Sequence, residues 1–307
     1  GLIYYKKFKK KYPNIKKLSE ANSEVLLKDW EGLGYYTRAK NLHSTAKFIQ
    51  NELSGIFPNS QKELIKLKGV GRYSSSAIAS ICFNEKTPAI DGNVYRVLSR
   101  IFGIKLNISL NSTYSYFYKK STPLIKEFKS AGDYNQSLMD FGSIQCLPKK
   151  PLCSNCNQNK ICYAFAHKKQ DELPVKKRSI MIIKRYFNYY VFSYKDKFLV
   201  KKRGYSDIWG GLYEFYIEEK KKLIKTPDQI NNNIKNLIKK NYSIKFSDAK
   251  TKLSHQEIFV SFIEIKLFNS HDFKRLEKKL DLFGANKKKL NMIAKPKVIN
   301  EYLKKIS

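Results

Sequence analysis

Cys146, Cys153, Cys156 and Cys162 stand with six, two and five residues between them inside one lysine-rich stretch. Thiols clustered this tightly form a ligand set, either for a tetrahedral zinc ion or for a cubane iron–sulfur cluster. Zinc modules usually carry two Cys-x-x-Cys knuckles, and here only Cys153 and Cys156 form one, which favours iron and sulfide. The fifth cysteine, Cys82, lies alone in an apolar run, and 307 residues bury an ample core without disulfides. Such a site calls for a reducing setting or protected assembly.

A second constellation lies upstream. In Leu67-Lys68-Gly69-Val70-Gly71-Arg72-Tyr73, two glycines flanking a valine free the backbone to turn sharply between helical patterns, with amides pointing outward. Such a nest, with a helix N-terminus beside it, binds phosphate. Alone, Gly-x-Gly equally describes an ordinary helix–helix turn. One helix further on, Asp91-Gly92-Asn93 opens another helical stretch, where the aspartate is either an N-cap or a carboxylate available for chemistry.

Charge points to the partner. Sixty Lys and Arg against 26 Asp and Glu give a net charge of +34 spread along the chain, a field that attracts polyanions and weakens with salt. A compositional bias toward Lys, Asn and Ile accounts for part of it. No run reaches the roughly 18 apolar residues of a membrane span, so no membrane association is expected. The chain begins at Gly1 without a methionine and reads as a fragment, which leaves N-terminal targeting open.

The elements that must position these groups fall into two sets. From Tyr4 to about Ala166, apolar residues recur at three and four, as in Val25, Leu26, Trp30 and Leu33, or Ala77, Ile78, Ile81 and Cys82, predicting an all-helical domain. After Asp91, the spacing of Val94, Val97, Leu98 and Ile101 turns one apolar face inward and directs Arg96 and Arg100 elsewhere. A polar stretch from Lys168 to Arg178 containing Pro174 reads as a linker. Beyond it the period becomes two in Tyr186 to Tyr194, Lys197 to Lys202 and Ile258 to Phe268, with Asp196 in a hairpin turn. Helices at Asp228 to Lys240 and Lys297 to Ile306 complete an α+β module.

Taken in order, a Gly69-Val70-Gly71 hairpin, an aspartate at a helix start and a Cys-x6-Cys-x2-Cys-x5-Cys loop resemble the helix-hairpin-helix DNA glycosylases. Gly32-Leu33-Gly34-Tyr35-Tyr36 with Arg38 and Asn41-Leu42, Tyr73 after the hairpin, Trp209-Gly210-Gly211-Leu212 and Ser254-His255 resemble the MutY adenine glycosylases in particular. The resemblance covers nearly all of the chain. It implies a multidomain protein: an all-α helix-hairpin-helix glycosylase domain over 1–167 (hairpin about 64–82, iron–sulfur loop 146–162), a linker over 168–183, and an α+β Nudix-like domain over 184–307. It implies excision of adenine mispaired with 8-oxoguanine or guanine in double-stranded DNA, by a monomeric base-excision repair enzyme of the bacterial cytoplasm and nucleoid, with one 4Fe–4S cluster on Cys146, Cys153, Cys156 and Cys162.

Roles follow by position. Bifunctional relatives attack the sugar with a lysine where this chain has Tyr73, which cannot form an imine, so a monofunctional hydrolase is implied. Asp91 is expected to stabilise the positive charge that builds on the sugar. DNA contacts are expected from Tyr35, Gly69, Val70, Gly71, Arg72, Asn93, Gly211, Ser254 and His255. The family's leaving-group glutamate and Gln-Gln-Thr wedge lie upstream of the segment matching Gly1 to Phe8, so this polypeptide by itself is expected to be inactive. Lys68 replaces the family's proline, and Leu253 its phenylalanine, which is expected to weaken an aromatic wedge. Glu218-Glu219-Lys220 lack the pyrophosphatase metal box. Rival readings are an endonuclease III-like enzyme on oxidised pyrimidines and a mismatch-binding remnant without catalysis.

Overall fold

The computed structural model describes residues 1–177, 181–238 and 242–306. Its N-terminal part is helical: α1 (Leu2–Lys11), α2 (Ile15–Ser19), α3 (Ser23–Asp29), α4 (Tyr36–Glu52), α5 (Gln61–Leu64), α6 (Arg72–Phe83), α7 (Gly92–Phe102), α8 (Thr113–Lys126), α9 (Ala131–Ile144) and α10 (Tyr163–Ala166). Then come β1 (Ile183–Tyr194), β2 (Lys197–Lys202), β3 (Tyr213–Glu214), β4 (Tyr216–Lys220), α11 (Asn232–Ile238), β5 (Tyr242–Lys252), β6 (Gln256–Leu267), α12 (Ser270–Lys279), β7 (Phe283–Asn286), α13 (Lys287–Met292) and α14 (Lys297–Lys305). Residues 178–180 of the expected linker and residues 239–240 of the expected helix lie outside the described residues. No helix among the described residues is long and apolar enough to cross a membrane.

Two compact units form, Ser44–Ser179 and Gly1–His43 with Ile180–Ser307, and the division falls inside α4. The sequence groups residues 1–43 with the helical domain. In the structure they pack on the sheet module, because Leu27 and Ala39 close a small core with Leu212 and Ala294. Lys202 pairs with Glu24 at 2.8 Å, and the Lys295 amide donates to Glu31.

In the helical unit, α7 is started by Asp91, whose side chain accepts the Val94 amide, and stopped by Gly103 at φ +65°. A Cβ at Gly103 would come within 2.7 Å of the Tyr163 ring, so α10 packs where only glycine fits. Val94 and Leu98 face inward with Ile90, Ile104 and Phe117, as their spacing predicts. Arg96 and Arg100 depart from expectation: they are buried, 7% and 2% exposed, because backbone carbonyls of the cysteine loop receive their guanidinium protons. Helix α6 departs too. Its buried face is Ser75, Ser76, Ala79 and Ser80, while Ile81 and Cys82 are exposed. Small hydroxyl residues let α9 approach closely, and Ser80 accepts a hydrogen bond from buried Asn135 at 2.8 Å.

In the other unit a seven-stranded mixed sheet runs β3-β2-β1-β6-β5, with β4 on β1 and β7 on β2. Strands β1 and β6 are parallel over Ile183–Ser193, the other pairs antiparallel. The β1–β2 turn is the expected one at Lys195-Asp196, since Tyr194 pairs with Lys197. Alternation places Phe187, Tyr189 and Val191 in one core with Val298, Ile299 and Tyr302, and Tyr190 and Phe192 in the other with Ile234, Ile238 and Leu276. Both faces are thus covered by helices, each buried aromatic contributing about 1.5–3 kcal/mol.

Candidate functional site

In the helical unit the hairpin is built as its glycines suggest at one position and differently at the other. Gly69 has φ +83°, the left-handed region, and the Thr45 hydroxyl holds the Lys68 carbonyl at 2.8 Å. Gly71 has extended backbone, and a Cβ there would meet nothing within 4 Å. Neither strain nor neighbouring atoms demand glycine at 71, so what it provides is open approach to the amides. No side chain caps α6, whose first amides are therefore free for an anion.

One turn into α6, Tyr73 is 40% exposed, and its hydroxyl donates to Met139 Sδ at 3.2 Å. Burial, and behind it the charge of Asp91, push its pKa above the usual range, so it stays a neutral donor. Asp91 Oδ1 accepts the Val94 amide at 2.7 Å and Oδ2 accepts Asn93 Nδ2 at 3.0 Å. Asn93 Oδ1 in turn receives Arg96 Nη2 at 2.9 Å, and Arg96 Nε donates to the Cys146 carbonyl at 2.7 Å. Asp91 and Asn93 are thereby held together, and the aspartate, whose charge reaches Tyr73, is oriented through a chain of bonds that ends on the cysteine loop. This close approach of α7 to α9 rests on Gly142, where a Cβ would lie 2.6 Å from Asn93 Cβ.

Cys146, Cys153, Cys156 and Cys162 line one cavity, walled by Ile101, Phe141, Leu152 and Phe165. Arg100 Nη1 donates to Cys146 Sγ at 3.4 Å and Gln170 Nε2 to Cys153 Sγ at 3.9 Å. The expected ligand set shares this cavity but is not closed into a site: among the described residues no group of His, Cys, Asp or Glu is placed to hold a metal. The four thiols face an apolar hollow, and two of them accept hydrogen bonds from Arg100 and Gln170. Arg96, Arg100 and Gly142 escaped sequence reasoning, and only the Asp-x4-Arg-x3-Arg spacing hinted at the arginines.

In the sheet unit, Ser254 and His255 form the exposed tip of the β5–β6 hairpin, closed by the Leu253 amide donating to Gln256 at 2.8 Å. The Tyr35 hydroxyl lies 2.5 Å from Ser254 Oγ, and the tyrosine is 69% exposed at φ +47°. Leu253 packs on the sheet core, so its difference from the family's phenylalanine falls on packing as well as on any wedge. Gly211, expected at the DNA surface, is itself buried beneath the Tyr205 ring. Glu218 accepts the Tyr190 hydroxyl and Glu219 pairs with Arg185.

Among the described residues this unit carries no strand, and its glycine hairpin, bonded aspartate and cysteine loop follow one another along the chain. The model of the HhH-GPD superfamily of base excision DNA repair proteins matches residues 3–123. The adenine DNA glycosylase of Buchnera aphidicola subsp. Baizongia pistaciae is 35% identical over 269 residues, 85% of this chain and 73% of that protein. That of subsp. Schizaphis graminum is 31% identical over 91% of this chain and 79% of that protein, and the human one 36% over 55% and 31%. The chain belongs to the adenine DNA glycosylase family.

Proposed function

We propose that this protein removes adenine mispaired with 8-oxoguanine or guanine from double-stranded DNA by monofunctional hydrolysis of the N-glycosidic bond. The observation that carries the reading is the Asp91 carboxylate, aimed by the Val94 amide and Asn93 and lying in the field that acts on Tyr73, next to an uncapped helix start. Departure of the base builds positive charge on the sugar, and Asp91 stabilises it where it develops. Tyr73 touches the extruded nucleoside with a neutral hydroxyl and offers no amine, so no imine forms and the strand stays whole. The amides of Gly69 and Gly71, with Arg72 and Asn93, grip the backbone, which offsets the few kcal/mol of flipping, while the Val70 amide closes the hairpin on the Leu67 carbonyl at 3.1 Å.

Tyr35, Ser254 and His255 read the opposite strand, on a sheet module whose helix-covered mixed sheet supports the Nudix-like assignment. Cys146, Cys153, Cys156 and Cys162 hold one 4Fe–4S cluster. Bound, it would fix the shape of loop 146–162 and so present Lys149, Lys150 and Lys160 to phosphates while the chemistry stays with Asp91.

The test gives the full-length protein a duplex containing one A:8-oxoguanine pair and treats the product with alkali. Alkali-labile abasic sites are expected. Scission without alkali would place the enzyme with the endonuclease III-like lyases, and specific binding without base release would leave the mismatch-binding reading. For the cluster, visible charge-transfer absorbance is expected, and a colourless protein carrying zinc would overturn it.

A further inference from the structure

The Trp209-Gly210-Gly211 turn hides its glycines. A Cβ at Gly210 would meet the Gly204 carbonyl at 2.7 Å, and one at Gly211 would meet Tyr205 ring atoms at 2.8 Å. Trp209 sits at φ +58°, a conformation held by Arg203, whose side chain bonds Ile208, Glu214 and Asp207 while its backbone bonds Gly211 and Leu212. The group this rigid turn exposes is therefore Tyr205, 66% accessible although its ring is pinned. Lys40 of α4 reaches the same corner. Its ammonium lies 4.8 Å from the Tyr205 ring centroid and also donates to the Gly210 carbonyl.

Charge at this corner is unbalanced. Glu24 is taken by Lys202 at 2.8 Å, and Lys40 makes no ion pair among the described residues. Packing against Gly211 and Lys40 already engages the tyrosine ring, so its phenolic edge is what remains for a partner.

We propose that Tyr205 and Lys40 form a phosphate-binding corner for the DNA backbone, the Tyr205 hydroxyl donating to a non-bridging phosphate oxygen and the Lys40 ammonium supplying the positive charge. The proposal rests on the DNA-binding reading above and adds to it a contact separate from Tyr35. Arg38, whose guanidinium lies 5.4 Å from the Tyr35 ring centroid, is two residues from Lys40, and residues two apart on a helix do not face the same way. Because the ligand is a phosphate and not a base, the contact positions DNA without reading sequence or lesion.

Fluorescence anisotropy with labelled duplexes tests it, one duplex carrying A:8-oxoguanine and one fully paired, between about 50 and 200 mM salt. Tyr205→Phe keeps the ring on Gly211 and is expected to weaken binding to both duplexes alike, by about tenfold, through loss of one charge-assisted hydrogen bond. Lys40→Gln is expected to reduce the slope of log affinity against log salt by about one. Unchanged affinity in Tyr205→Phe together with an unchanged slope in Lys40→Gln overturns the proposal. So does a loss confined to the lesion duplex, which would make Tyr205 a base-reading group. Failure of the unaltered chain to bind either duplex would instead refute the DNA-binding reading beneath it.

Discussion

Arg96 reaches back along α7 to Asn93, its Nη2 donating to Asn93 Oδ1 at 2.9 Å, so a guanidinium anchored on the cysteine loop sets the amide that orients Asp91. Arg96→Gln leaves the Cys146 and Gly142 carbonyls without their donor, at a cost of about 3 kcal/mol in stability. Base release should fall by up to about 100-fold through misplacement of the aspartate, while affinity for fully paired DNA stays within a few-fold. Single-turnover rates beside anisotropy check this, and equal losses in both would assign Arg96 to binding.

Asp91→Asn keeps a residue that caps helices well, so melting should move by less than about 1 kcal/mol. Loss of the charge should slow base release by about 100- to 1,000-fold. Near-normal turnover in this variant would remove Asp91 from the reaction.

Tyr73→Lys places an amine where the neutral phenol stood. Borohydride should then trap a covalent protein–DNA adduct on an A:8-oxoguanine duplex, and none should form with the unaltered protein. Absence of the adduct from a folded variant would place position 73 away from the sugar.

What the sequence made legible was chemistry at short range. The hairpin glycines, Asp91 and the cysteines stand close along the chain, so type and spacing alone suggest their assembly, and the period-two runs of β1, β2 and β6 alternate strongly enough to be read as strands. Arg96 and Arg100 were misjudged because a charge is buried only where distant carbonyls receive it, and those carbonyls belong to residues 142–173. Strand β5 was missed since it lies at the sheet edge and carries lysines and serines. The serine face of α6 follows no apolar period at all, because there small size, and not hydrophobicity, admits the neighbouring helix.

Gly142→Ala tests that closeness directly. With a Cβ 2.6 Å from Asn93 Cβ and 3.2 Å from its Cα, helices α7 and α9 must separate. The expected loss is about 1–3 kcal/mol in denaturant unfolding, accompanied by slower base release. A stability equal to the unaltered protein would show that the helices give way freely.

Tyr134 is 5% exposed with no hydrogen-bond partner for its hydroxyl among the described residues, and burial pushes its pKa up to about 12 from 10.0. A folded-state pKa above the unfolded one gives stability that is whole below pH 10 and is lost as pH rises through about 12. Tyr134→Phe should flatten the decline in that window and be neutral or slightly stabilising at pH 7, as read by urea melts at each pH. An identical decline in the variant would assign it to the other buried tyrosines.

Synthesis runs from the N-terminus, and α7 leaves the ribosome well before Cys146 to Leu173 exist. Until that later stretch arrives, Arg96 has only Asn93 of its own helix to bond and Arg100 has none of its loop carbonyls, so a helix meant for the interior must wait half-finished. A chain stopped near residue 140 would hold every apolar residue of α7 and still lack the acceptors its arginines need. Fixing the bonds that orient Asp91 and delivery of the four thiols are therefore one event in the life of the nascent protein, and a lesion in the loop should surface first as poor yield from the cell.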